Sequence, residues 1–163
     1  MVSRLGKLLI IGYVIIAILF VNALISVEPY QGNIAEPVQK NLTRAEAITI
    51  TGETEDVELT LLAEYEIGGV VKGKKQYSDY PSQVSKYDIA LAWGDLNKKD
   101  YDEHIRYSQS GRWYYYRYSG NCMASREYIS NHSANVHLIH QDKDVLNKIK
   151  KIRKNEYVRL EGY

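Results

Sequence analysis

Residues Asn131–Ile139 (Asn-His-Ser-Ala-Asn-Val-His-Leu-Ile) carry the densest set of reactive side chains in the chain: two imidazoles, a hydroxyl and two amides within seven residues. His132 or His137 could act as a general base, with Asp88 or Asp95 orienting the imidazole through its other nitrogen. Ser133 is adjacent to His132, but neighbouring side chains of an extended chain point to opposite faces, so His132 and Ser133 do not form a nucleophile pair by themselves. The competing reading is a turn whose Asn and Ser side chains bond the backbone.

A second group suits binding rather than catalysis. Arg112–Tyr118 (Arg-Trp-Tyr-Tyr-Tyr-Arg-Tyr) alternates so that Trp113, Tyr115 and Arg117 share one face of a strand, and Arg112, Tyr114, Tyr116 and Tyr118 the other. Aromatic rings interleaved with arginine can stack on sugar rings or bases. The candidate ligand-binding residues are Trp93, Arg112, Trp113, Ser133 and Asn135. His132, His137, His140 and Cys122 have no zinc-ligand spacing, so no metal is assigned. No cofactor is assigned either: the chain has no glycine-rich phosphate loop, no G-x-S-x-G and no H-E-x-x-H. Asp88, Asp95, Asp100, Asp102 and Glu103 surround Trp93 in sequence, but sequence alone gives no carboxylate separation of the kind glycoside hydrolysis needs.

Composition narrows the classes further. The net charge is +1, which excludes a generally polybasic or polyacidic binder, and with the membrane segment it argues against nucleic acid as partner. The charge is uneven: net −7 over residues 28–66, +3 over 67–141 and +3 over 142–163. These stretches read as solvated faces that partly neutralise each other. One cysteine excludes an internal disulfide. Tyrosine dominates the aromatics, with 15 residues against two Trp and one Phe.

Residues Leu8–Val27 form an uncharged run of 20 residues. As a helix it would reach about 30 Å, the thickness of a bilayer's hydrocarbon core. Arg4 and Lys7 precede it, which favours a cytoplasmic N-terminus and places the remainder outside. An uncleaved signal anchor is preferred to a cleaved signal peptide because the run is long for the latter.

Beyond residue 47, strand signals prevail. Val57–Ile67 alternates over eleven residues, with apolar side chains at positions 57, 59, 61, 63, 65 and 67. Gly68-Gly69 predicts a bulge or turn. Asp88–Trp93 fits a short buried strand or a helical turn, and Asn135–His140 a strand with Val136 and Leu138 on one face. Asp142 or Asp144 predicts an N-cap for a helix striped by Val145, Leu146 and Ile149. Tyr157–Leu160 is a final strand close to the chain end, which leaves an open edge for a protein partner.

Five segments carry a resemblance: Leu62–Ile67, Tyr87–Gly94, Ser108–Tyr115, Asn131–Ile139 and Val158–Tyr163. In these the chain resembles a family of uncharacterised bacterial proteins with one N-terminal membrane segment. The resemblance brings no activity. It implies residues beyond Gly162-Tyr163, and a proline where this chain has His140, which sets His140 outside any shared site. The expected architecture is α+β or mainly β: an N-terminal transmembrane helix at 1–27, a linker at 28–47, and at 48–163 one small, partly open β-barrel-like extracytoplasmic domain with one or two short helices, truncated at its C-terminus. The expected function is a membrane-anchored binding module without catalysis. The alternative is a hydrolase using His132 or His137.

Overall fold

A computed structural model describes residues 30–52 and 54–163. The Leu8–Val27 segment lies outside the described residues. No helix among the described residues is long and apolar enough to cross a membrane.

The protein is mainly β. Its main sheet comprises β1 (Val38–Thr51), β2 (Asp56–Gln76), β3 (Tyr87–Ala92), β6 (Ser133–Leu138) and β7 (Tyr157–Gly162). A separate hairpin comprises β4 (Ile105–Ser110) and β5 (Trp113–Tyr118). The described residues also form three α-helices, α1 (Lys99–Asp102), α2 (Arg126–Asn131) and α3 (Lys143–Lys151), and short 3-10 helices at Tyr80–Gln83 and Gly94–Asn97.

The 21-residue β2 organises the sheet. Glu66 pairs with Val38 of β1 and with Glu161 of β7, so these two strands flank β2 on opposite sides. Val70 pairs with Ala92 of β3 and with Tyr157 of β7, so β3 also lies opposite β7. Thus β1 and β3 follow one another along the same edge of β2, and β6 adds beyond β3. The sheet curls into a half-barrel. Two of its edge strands, β6 and β7, both line a groove of about 180 Å³ together with Tyr65 and Ile67 of β2. The expected partly open barrel is therefore present as a curled, open sheet.

Alternation decides which side chains enter the concave core. Ile67, Val71, Ile89 and Leu91 are buried there, and Ala134, Val136, Leu138, Val158 and Leu160 pack against them. The opposite face of β2 and β3 is covered as well, by the hairpin and α2, through Ala92, Leu96, Ile105, Ala124 and Ile129. Every residue of β3 is consequently buried, and Tyr87–Ala92 forms a strand rather than a helical turn. Lys72 lies on this second face with its ammonium bonded to Asp102 at 2.7 Å. Burial pulls its pKa below the ordinary lysine value, and Asp102 opposes that pull.

Two expectations change. The stretch read as a linker becomes strand from Val38 onward, because Val38–Asn41 and, after a register shift, Glu46 and Ala47 pair with β2 while both faces of the strand remain largely solvated. A strand wet on both sides shows no period of two. Gly68-Gly69 does not break β2. A Cβ at Gly68 would sit 2.5 Å from the Tyr157 hydroxyl, and one at Gly69 would sit 3.1 Å from the Leu91 Cβ, so the pair permits close approach on both sides. The register shift falls instead between Val71 and Gly73.

The helix at 143–151 follows expectation. Asp142 accepts a hydrogen bond from the Val145 amide at 2.8 Å, and Ile149 is the buried residue of its stripe. Asn155, with φ 71°, turns the chain into β7. Leu91 tests the role of the central strand. Leu91→Ala should destabilise the fold by about 2–5 kcal/mol, the usual range for a fully buried leucine, seen as a lower urea midpoint at unchanged m-value.

Candidate functional site

The alternation that sends Val136 and Leu138 into the concave core turns Ser133, Asn135 and His137 to the other face of β6. Each stands opposite a β3 residue of the same face: Ser133 opposite Ala92, Asn135 opposite Ala90, and His137 opposite Asp88. The hairpin turn lies over this row. Ser110 and Trp113 pair across Gly111-Arg112, whose φ values of 56° and 69° are those of a type I′ turn. Arg112 pays the left-handed backbone cost of about 1–2 kcal/mol and is held there by its side chain.

That side chain joins three elements. Its Nη1 donates to Asp88 Oδ1 at 3.1 Å and to the Ser85 carbonyl at 2.8 Å, and its Nε donates to Asp79 Oδ2 at 2.9 Å. The guanidinium lies 4.2 Å from the Tyr77 ring centroid, a cation–π contact. Asp88 is fully buried; its Oδ2 accepts from Asn135 Nδ2 at 3.3 Å, and His137 Nδ1 stands 2.9 Å from the same oxygen. Asn135 also donates to the Arg112 carbonyl at 3.0 Å and accepts from Gln109 Nε2 at 2.7 Å. The pair with Arg112 holds the Asp79 carboxyl below its ordinary pKa, chiefly through the hydrogen bond.

His137, Asp88, Arg112 and Asn135 therefore converge, as an active site built on His137 requires. His137 is exposed, and its Nδ1 is the ring nitrogen nearest the Asp88 carboxylate. A nucleophile is missing from the group. Ser133 is buried and its hydroxyl donates to the Ile129 carbonyl at 2.6 Å, beside the Tyr114 hydroxyl at 3.2 Å.

His132 lies elsewhere. It ends α2, with Nδ1 2.9 Å from the Tyr128 carbonyl and Nε2 3.1 Å from Glu36 Oε1. The Tyr128 ring stacks on it at 3.7 Å. Glu36 also accepts from Trp93 Nε1 at 2.9 Å, and Trp93 is buried. Together with Asn97, which bonds the Tyr30 and Gly32 carbonyls, this clasp straps residues 30–36 to the body. Asp95 pairs with Lys98 and orients neither histidine. Among the described residues, no three His, Cys, Asp or Glu side chains gather as a metal site would require; Cys122 packs against the second core.

Of the residues chosen for ligand binding, Trp93, Arg112, Ser133 and Asn135 are engaged internally. Trp113 alone is open, at 71% exposure, and Tyr115 beside it is 54% exposed. Their face of the hairpin continues across the strands. Ser110 stands opposite Trp113, Ser108 opposite Tyr115, and Arg106 opposite Arg117. Arg106 was absent from the sequence reading, and hairpin arithmetic from Gly111-Arg112 would have found it. Glu36, Asp79 and Gln109 lie far in sequence from the groups they bond and left no local signal.

No family model, curated protein or solved structure matches the chain.

Removing Asp88 leaves the Arg112 guanidinium without its buried partner. Asp88→Ala should cost about 3–5 kcal/mol in chemical denaturation, whereas His137→Ala, at an exposed position, should cost far less. Because the Asp79 pKa is lowered in the folded state, its contribution to stability is full above the ordinary carboxylate range and is lost as pH falls through the folded value. A pH series of melting temperatures for the wild type and Asp79→Asn should diverge above that range and converge in acid.

Proposed function

We propose that this protein is a membrane-anchored extracytoplasmic binding module whose contact surface is the outer face of the β4–β5 hairpin. The carrying observation is the open Trp113–Tyr115 pair on a hairpin pinned from below by Arg112. Large rings left in water on a rigid strand are ready to bind, with little conformational entropy to lose. The uncharged Leu8–Val27 run and its flanking Arg4 and Lys7 support the anchor and its orientation. Kinship with the single-pass bacterial family rests on the five matching segments. The open outer edge of β7 offers backbone groups to which a partner strand could add.

A second reading, hydrolysis with His137 as general base, is favoured by one contact, the 2.9 Å approach of His137 Nδ1 to the Asp88 carboxylate. It lacks a free hydroxyl or thiol beside His137, so it would have to activate water.

The full chain in detergent should be retained on isolated bacterial envelopes, and Trp113→Ala/Tyr115→Ala should reduce that retention at least tenfold without moving the melting temperature. Equal retention of the two proteins would overturn the reading. Hydrolysis of p-nitrophenyl esters that disappears in His137→Ala would favour the second reading instead.

A further inference from the structure

We infer that the ligand of the hairpin face is an anionic glycan, its sugar rings stacked on Trp113 and Tyr115 and its acidic groups held by Arg106 and Arg117; this rests on the binding-module reading above.

The argument begins with charge. From Ile105 to Arg126 the chain has four arginines and no Asp or Glu. Arg112 is neutralised by Asp79 and Asp88 beneath the hairpin. The other three make no ion pair among the described residues. Arg106 and Arg117 stand directly opposite each other on the exposed face, an arrangement that costs stability in the absence of a counter-charge. Arg106 donates only to the carbonyls of Glu103 and Ile105. Arg126 borders a shallow hollow along β5 with Tyr114, Tyr115, Tyr116 and Tyr118. The surface is thus complementary to negative charge.

Spacing and chemistry select the class of anion. Trp113 and Tyr115 lie about 7 Å apart along β5, and Arg117 about 7 Å further. Two ring platforms in line, followed by a cationic end, suit an extended chain of rings with an acidic group on some of them. Ser108 and Ser110 fill the positions opposite the rings, which keeps the platform flat and offers hydroxyls to the sugar's own. A nucleic acid strand would bring a phosphate beside every stacked base, but the hairpin neighbours of Trp113 on this face, Ser110 and Tyr115, are uncharged. Insertion into lipid would need aliphatic side chains, and the face has serine in their place.

Affinity electrophoresis of the detergent-solubilised full chain tests this, with mobility normalised to a polymer-free gel. Polygalacturonate and phosphorylated dextran are the carboxylate and phosphate arms, and hydroxyethylcellulose is the neutral arm. At least one anionic polymer should retard the chain, with an apparent affinity at least fivefold above that for the neutral one. Trp113→Ala/Tyr115→Ala should abolish retardation, and Arg106→Gln/Arg117→Gln should remove the preference for anionic polymer. Equal retardation by neutral and anionic polymers would overturn the anionic assignment and leave the aromatic contact face standing. Retardation that survives loss of both rings would reduce the effect to bulk charge and overturn the inference. Binding only to oligothymidylate or to phosphatidylglycerol vesicles would replace the glycan with that class. No retardation by any polymer overturns the inference, and if the ring variant also keeps its envelope retention, the binding-module reading falls with it.

Discussion

The buried Asp88 carboxylate is the point on which the second layer of the molecule depends. It sits on the central strand with no exposure to solvent, so its charge must be met by donors from within. Arg112 comes from the hairpin turn, and His137 and Asn135 from β6. One side chain therefore fixes three elements relative to one another. A charge in this position does not favour folding as such, because its desolvation cost offsets most of its attraction. It selects geometry instead, since one arrangement of hairpin over sheet satisfies it.

That constraint has a consequence on the far side of the hairpin. Arg112 turns inward at the I′ turn, and the strict alternation of β5 then turns Trp113, Tyr115 and Arg117 outward. The platform is rigid because its reverse face is engaged: Tyr114 reaches the Ser133 carbonyl at 3.0 Å, and Tyr116 packs into the second core. The polar node and the aromatic face are two sides of one hairpin. The node supplies position, and the face supplies contact area.

The histidines divide in the same way. His132 is taken up by the clasp that holds residues 30–36 against the body, where Glu36 links it to Trp93. That clasp sets where the preceding segment leaves the domain. His137 stays half in water on the rim of the Asp88 node. The two were equivalent as candidate bases in sequence, and their surroundings separate them.

Local pattern was enough for elements whose two sides differ. The alternation in Val57–Ile67, the division of β5 into two faces, the Asp142 cap and the strand at Asn135–Leu138 are legible because periodicity and capping act over a few residues. The strand at Val38–Ala47 was not legible, since both its faces meet water and its pairing with β2 leaves no hydrophobic signature. The four residues that converge at the candidate site, Asp88, Arg112, Asn135 and His137, were each visible in sequence, but their grouping was not. Asp88 lies 24 residues from Arg112 and 47 from Asn135, so only sheet register brings them together. Trp93 and Trp113 show the limit most plainly. Each is a tryptophan within two residues of a glycine, and the tertiary structure buries the first against Glu36 and leaves the second in solvent, because covering depends on which elements stack above a strand and not on the residues within it.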